Sequence, residues 1–549
     1  MNEKIIVTNL GALKKKYGAN GRAKIRAAVK MLISADKARG FHTRLLALDS
    51  ASAMKKVNGS AVTDTASARQ NKAAIDAIFT SIRPDYLMIL GAVDVVPHQD
   101  LNNPAYGSDD PDEYAFADLP YACETPYSQQ PEKFIGPTRV VARLPDLTAG
   151  SDPAYLIELL DTAAKWKSLT RADYADYFGL STAKWKGSTS LSLQKLFGSS
   201  QSLNLSPPKG PRWSSSLLAR RAHFINCHGA PADPHFYGEP QNFPVSHDAG
   251  WLAGKIALGT IAAMECCYGA ELYDPNVLPS RQPGMCNTYL AGKAYGYLGS
   301  STIAYGPEDG NGAADLICQY FLRSVLNGAS LGRALLEARQ EFAQATPDLD
   351  PYDIKTLAQF SLFGDPSIHP VAVPMPQTPT LAALPKAVRT VKGMKAMLTA
   401  PAPPTAMERD LPSGLDTLLL TAAPIARAER RRQLLTKGLV ISATQPVARK
   451  VTRTKIAPSL LTQMQRLAGE AGITEPKILS FRIAVSATPA TAMARKAFAR
   501  AAAALPSADG YHVVTGVRLS KEMPIPQITA VIAKESEGKL VSYRQLVSR

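Results

Sequence analysis

Apolar positions in the first 370 residues follow two periods. Short, nearly continuous apolar runs bounded by glycine, proline or small polar residues read as buried strands: 5–7, 43–48, 85–91 and 138–145, then 222–229, 260–269 and 296–306. Between them lie stretches whose apolar residues return every three or four positions and read as helices: 24–38, 68–82, 154–167, 314–326 and 331–343. A stretch at 357–368 closes this part. Residues 180–215, rich in Ser, Lys and Pro, read as a connector. Strand and helix in alternation predict an α/β sheet with right-handed crossovers and helices on its faces.

The pattern changes after residue 370. Residues 371–405 hold many Pro and Ala and few large apolar residues, the composition of a linker. Strand candidates then fall at 438–442, 478–485, 511–519 and 527–534, with a helix at 491–504, which predicts a small α+β domain. The expected organisation is an N-terminal α/β subdomain (1–180), a second α/β subdomain (215–372), a Pro/Ala-rich linker (373–430) and a C-terminal α+β domain (431–549).

Charge separates the same two parts. Of 62 Lys+Arg and 46 Asp+Glu, residues 1–370 hold 36 of each, a net of 0; residues 371–549 hold 62 − 36 = 26 basic against 46 − 36 = 10 acidic, the whole net +16. An acidic protein partner or nucleic acid is the expected partner class for that basic part, although aromatics for base stacking are few. Arg427, Arg430, Arg431 and Arg432 form a local cluster, read as a solvated helical face. No apolar run is long enough to span a bilayer, and the N-terminal residues read as a strand rather than a signal, so a cytoplasmic location is expected. Six cysteines in 549 residues do not make a disulfide framework. No CxxC or HExxH spacing is present, so no metal or other cofactor is expected. The acidic loop 108–118 reads as solvated; its oxygens would suit calcium, though the spacing is not that of an EF-hand.

Two strand ends carry the candidate chemistry. One apolar run stops at His228-Gly229 and a later one at Cys266-Cys267-Tyr268-Gly269. Neighbouring strands ending this way hold an imidazole and a thiol at one sheet edge, as a cysteine nucleophile requires. Gly229 leaves room beside the imidazole and bares a backbone N–H for an oxyanion hole. Cys266 gives Cys-x-x-Gly and Cys267 gives Cys-x-Gly, so either thiol can be the nucleophile. His247 reads as a surface-loop residue, and Asp365 before Pro366 as a turn.

These residues resemble the gingipain-type cysteine peptidases within the caspase-like group, which share an apolar strand ending in His-Gly and a later one ending in the nucleophilic Cys. Three further stretches resemble gingipains: Leu87-Met88-Ile89-Leu90-Gly91-Ala92-Val93-Asp94-Val95-Val96-Pro97, Val140-Val141-Ala142-Arg143-Leu144-Pro145, and Phe360-Ser361-Leu362-Phe363-Gly364-Asp365-Pro366-Ser367. The resemblance covers roughly residues 1–372. It implies a caspase-like sheet with flanking helices in two gingipain-like subdomains, joined here to the C-terminal α+β domain. It implies a cysteine endopeptidase with catalytic His228 and Cys266 (alternatively Cys267), an oxyanion donor at Gly229, a protein or peptide substrate and a thioester acyl-enzyme. Thr138 stands where the family's acidic assistant to histidine falls, which leaves Glu132 and Asp118 as candidates for a third member. Substrate-binding residues cannot be carried over. The alternative is a catalytically silent binding protein on the same fold, acting through its basic domain.

Overall fold

A computed structural model describes residues 2–107, 109–239, 243–346, 349–372, 449–485, 510–518, 527–536 and 538–549. The linker at 373–430, the strand at 438–442, the helix at 491–504 and the arginine cluster lie outside them.

The strands are β1 (Asn2–Thr8), β2 (Phe41–Ala47), β3 (Tyr86–Leu90), β4 (Val141–Leu144), β5 (Tyr177–Thr182), β6 (Leu203–Ser206), β7 (Ala222–Asn226), β8 (Ile261–Met264), β9 (Gly296–Ser300), β10 (Tyr305–Gly306) and β11 (Phe360–Gly364). All but β10 form a ten-stranded sheet in the order β2-β1-β3-β4-β11-β9-β8-β7-β5-β6. Every neighbouring pair is parallel except β11–β9. The sheet is therefore two parallel halves running in opposite directions. β11 returns from the end of the α/β region to join the first half and makes the antiparallel seam with the second.

Helices α1 (Leu10–Ala38, broken at Gly18), α2 (Ala68–Ile82), α3 (Ala154–Lys165), α4 (Lys186–Phe197), α5 (Ala313–Leu326), α6 (Leu331–Ala345) and α7 (Pro351–Gln359) accompany the sheet. Several start at side-chain caps: Ser67 accepts from Gln70 N, Ser330 from Arg333 N, and Asp350 from Tyr352 N and Asp353 N. Apolar side chains gather in two large cores. One holds residues of α1, α2 and α3, the other residues of α5, α6 and α7. Along β8 the side chains alternate between them: Ala262 and Met264 enter the first, Ile261 and Ala263 the second.

Residues 180–215 are not a connector. They supply the end of β5, all of α4 and β6. The buried face of α4 includes Ser188, Thr189 and Ser192 rather than an apolar stripe. Asn311 donates to Ser188 O and Ser192 Oγ, both at 3.0 Å, so hydrogen-bonded small side chains do what large apolar ones usually do. That substitution erased the helical period from the sequence.

Beyond the linker come β12 (Arg449–Thr454), α8 (Pro458–Glu470), β13 (Lys477–Val485), β14 (Gly510–Arg518), β15 (Gln527–Ser536) and β16 (Lys539–Ser548). They form an antiparallel sheet in the order β10-β16-β15-β14-β13-β12, so β10 of the α/β region is its edge strand. One face packs on α8 through Met464, Ala468, Val514 and Val531. The other places Phe481, Tyr511, Val513, Ile528 and Leu546 in the same core as Ile303, Tyr305 and Leu349. The sequence pattern missed β12, α8 and β16. In β16 the apolar residues fall on both faces, with Val541 and Tyr543 exposed and Leu546 and Val547 buried.

The acidic loop is not solvated. Asp110 and Asp118 are buried. Lys355 Nζ reaches Asp110 Oδ2 at 2.5 Å and Asp112 Oδ2 at 3.1 Å, Arg143 Nε donates to Asp118 Oδ2 at 2.8 Å, and Lys477 Nζ lies 2.7 Å from Asp109. Carboxylates can be buried when cations pair with them, and these partners lie too far along the chain for a local reading to find. Lys477, with Arg544 at Asp350 and Asp353, ties the basic domain to the chain's own acids. Among the described residues no helix is long and apolar enough to cross a membrane.

Asp365 caps its turn, accepting from Ser367 N at 2.9 Å and Ser367 Oγ at 2.7 Å. Its carboxylate also meets Lys4, whose Nζ donates to Asp36 at 2.9 Å; all three side chains are fully buried. Lys4→Met would leave Asp365 without its cation and Asp36 with only one, Arg39, at 3.4 Å. The expected loss is about 3–5 kcal/mol, read as a lowered denaturant midpoint. An unchanged midpoint would show that the lysine does not hold β1 to the end of β11.

Candidate active site

β7 and β8 are parallel neighbours with Ile225 opposite Met264. Their C-terminal ends therefore reach the same sheet edge, and the residues that follow are brought together. The approach is close: a Cβ on Gly229 would lie 1.9 Å from Cys267 O. Only glycine permits it, which gives the His-Gly pair a steric reason.

His228 is buried beneath Trp185, whose ring centre lies 4.4 Å from the imidazole. Its Nε2 is 3.0 Å from Glu239 Oε2. That contact sets the tautomer, with Nε2 donating to the carboxylate and Nδ1 left to exchange a proton. Nδ1 is buried and has no hydrogen-bond partner among the described residues. Burial drives the imidazole below its usual value, against the pull of Glu239. Burial opposes ionisation of Glu239 as well, but His228 and Lys184 outweigh it and hold the carboxyl below its usual range. Lys184 Nζ sits 3.3 Å from Glu239 Oε1, and Gln527 Nε2 donates to Oε2 at 3.4 Å. Glu239, and not Glu132 or Asp118, is the carboxylate beside His228. Asp118 is committed to Arg143 and His98 instead, and Glu132 lies in the turn Pro131–Phe134. No local signal marks Glu239, which comes back to His228 through the hairpin after it.

The two cysteines face opposite ways. Cys266 continues the alternation of Ala262 and Met264 into the first core, where its Sγ lies 3.9 Å from Ile225 O. Cys267 continues that of Ile261 and Ala263 into the second, with Sγ at 3.5 Å from Ala304 O and Ala304 N at 3.3 Å from Sγ. Burial pushes the Cys267 thiol up to about 12, and the Cys266 thiol well above its usual value.

Beside Cys267 lies a pocket that the sequence did not reveal. Asp315, in the first turn of α5, and Glu265, on the Cys267 face of the β8 extension, are both fully buried there. Arg549, also fully buried, fills it. Arg549 Nη2 donates to Asp315 Oδ2 at 3.2 Å and to Pro307 O at 2.8 Å, and the guanidinium carbon stands 4.3 Å from the Trp185 ring centre. The backbone is held too: Arg549 N donates to Ala304 O at 2.9 Å, and Cys267 N donates to Arg549 O at 3.3 Å. The alternation that puts Glu265 and Cys267 on one face could have been read from sequence. The identity of the cation could not.

His247 is not a surface residue. It is fully buried, its Nε2 lies 3.0 Å from Tyr289 Oη, and it stacks on Phe236. Among the described residues no group of three or more His, Cys, Asp or Glu is arranged to hold a metal ion.

Residues 227–371 match the family model of peptidase family C25. That stretch contains His228, both cysteines, Asp315 and the Asp365-Pro366-Ser367 turn, and it carries the resemblance to gingipain-type peptidases. The complex of the pro- and mature domains of RgpB from Porphyromonas gingivalis is similar at 11% identity over 67% of this chain and 79% of that one, with a TM-score of 0.45. The separase–securin complex of Saccharomyces cerevisiae is similar at 13% identity over 42% of this chain and 14% of that one, with a TM-score of 0.25. No curated protein matches by sequence.

Burial holds His247 down at about 3, so the unfolded chain takes up a proton there that the folded one refuses as pH falls below the ordinary histidine value. Its contribution is full above about pH 6.5 and is lost toward pH 3. His247→Phe removes this dependence. The stability of wild type relative to the variant should fall by up to about 1.4 kcal/mol per pH unit over that window, measured by urea unfolding at several pH values. A constant difference would mean that His247 titrates normally.

Proposed function

We propose that the protein is a cysteine endopeptidase that cleaves after arginine, with Cys267 as nucleophile, His228 as acid and base, and Glu239 as the residue that orients the imidazole. One observation carries this reading. An arginine is seated with its carbonyl on the Cys267 N–H and its side chain on a buried aspartate, as the residue before a scissile bond would sit. Cys267 Sγ attacks the carbonyl carbon. The tetrahedral oxyanion accepts from the Cys267 N–H, and the Gly229 N–H is the second donor. His228 Nδ1, having taken the thiol proton, delivers it to the leaving amine as the C–N bond breaks and a thioester remains. Water, deprotonated by the same nitrogen, then releases the acid. Cys266 remains the alternative nucleophile by its Cys-x-x-Gly spacing, but it faces the opposite core.

A second reading has an observation in its favour. The Cys267 thiol is neutral and the pocket is filled, as in a silent binding protein on this fold.

An acyloxymethyl ketone with arginine before the reactive group is expected to alkylate Cys267. Labelling should survive in Cys266→Ala and disappear in Cys267→Ala and His228→Ala, with the adduct located by mass spectrometry. Asp315→Asn should lower kcat/KM for arginyl peptides by about 10²- to 10³-fold while sparing the fold. Labelling at Cys266 would overturn the choice of thiol, and none in any variant would favour the binding protein.

A further inference from the structure

The residue that fills the specificity pocket belongs to the protein itself. β16 runs antiparallel to β10, with Ser548 opposite Tyr305 and Val547 opposite Gly306, and leads straight into Arg549. An extended strand lying along the cleft edge, with an arginine whose backbone oxygen meets the nucleophile's N–H, is the geometry of a bound substrate. We propose that residues 547–549 act as an internal pseudo-substrate, and that the cleft accepts outside peptides only when this segment withdraws. This rests on the peptidase reading above.

The pocket is built for a guanidinium and is not a chance burial. A Cβ on Gly306 would meet Arg549 Nη2 at 2.2 Å, so the wall is formed by the absence of a side chain there. Trp185 lies against both the guanidinium and the catalytic imidazole. Glu265 is buried beside Asp315, and burial with that neighbour pushes its carboxyl well above the usual range, while Nε and Nη1 of Arg549 are buried without a hydrogen-bond partner among the described residues. The seated arginine therefore leaves donors of its own unused. An arginine free of the strand's register can make a fuller set of contacts, which lets an external substrate compete.

Release must be local. The sheet that carries β16 shares the core of the α/β region through Phe481, Tyr511, Val513 and Ile528. Arg544 pairs with Asp353 at 2.7 Å and Lys477 with Asp109 at 2.7 Å. Detaching the whole sheet would expose that core and break these pairs. Residues 547–549 are held by two strand positions paired with β10, the Arg549 backbone bonds and the guanidinium contacts, and on the other side by the Val547–Thr529 pairing and the Ile528 N–H that Ser548 Oγ accepts at 2.8 Å. Lifting three residues breaks these few bonds at the start of β15 and the end of β16 and leaves the shared core in place.

The test uses the full chain as wild type, Arg549→Ala and Arg549→Lys, each checked for an unchanged circular dichroism spectrum. Three quantities are measured: alkylation of Cys267 by iodoacetamide under native conditions, binding of acetyl-arginine methylamide by calorimetry, and hydrolysis of an arginyl coumarin amide. Arg549→Ala should be alkylated at least about tenfold faster than wild type and should bind the arginine probe at least about tenfold more tightly, with Arg549→Lys in between. Faster hydrolysis in Arg549→Ala supports both the inference and the peptidase reading. Faster alkylation and probe binding with no hydrolysis supports the pseudo-substrate and overturns the peptidase. Equal alkylation and equal probe binding in wild type and Arg549→Ala overturns the pseudo-substrate, whether or not the protein hydrolyses peptides.

Discussion

A guanidinium withdrawn from water must be met by acidic groups, and this requirement sets where the end of β16 comes to rest against the α/β region. Arg549 is fully buried, and α5 presents Asp315 to it from its first turn. The strand before Arg549 lies along β10, while the rest of its sheet is held to the α/β region by a shared apolar core and by ion pairs of its own. The acidic loop becomes the contact ground for the rest of that domain. The separation of charge between the first 370 residues and the remainder is thus partly an internal complementarity.

The second constraint is steric. Two parallel strands bring a histidine and a cysteine to one edge only if the backbone beyond them can nearly touch. Gly229 makes this possible against Cys267 O. From there the two-residue period of β8 sorts the neighbours: Cys266 goes with Met264 to one core, and Cys267 goes to the other with the arginine pocket. The thiol that stands beside the arginine is thereby selected by the parity of a strand.

Strands fully buried in a parallel sheet were legible, because continuous apolar runs have few other readings; β3, β7 and β8 fall within the runs assigned to them. His228, Gly229 and the cysteine pair were legible for the same reason, as they end such runs. What failed was the chemistry supplied from a distance. The α4 helix hides its buried face behind serine and threonine. Glu239 meets His228 through a hairpin with no signature of its own. Asp315 reads as an ordinary first-turn acid of a helix, and Arg549 as one basic residue among many. The family resemblance pointed to His228 and the cysteine pair, but it could not name a pocket whose occupant, Arg549, comes from more than two hundred residues further along the chain.

The covering of the cleft also bears on how long the nucleophile lasts. Hydrogen peroxide and related oxidants attack the thiolate rather than the thiol. With Cys267 held up at about 12, the ionised fraction at neutral pH is on the order of 10⁻⁵. Cys266 next to it is no more ionised. The adjacent sulfurs are therefore nearly inert to sulfenic acid formation while they stay buried. On the pseudo-substrate proposal, the segment that covers the cleft also lies over a thiol kept reduced by burial, and chemical durability is traded for reactivity when it lifts.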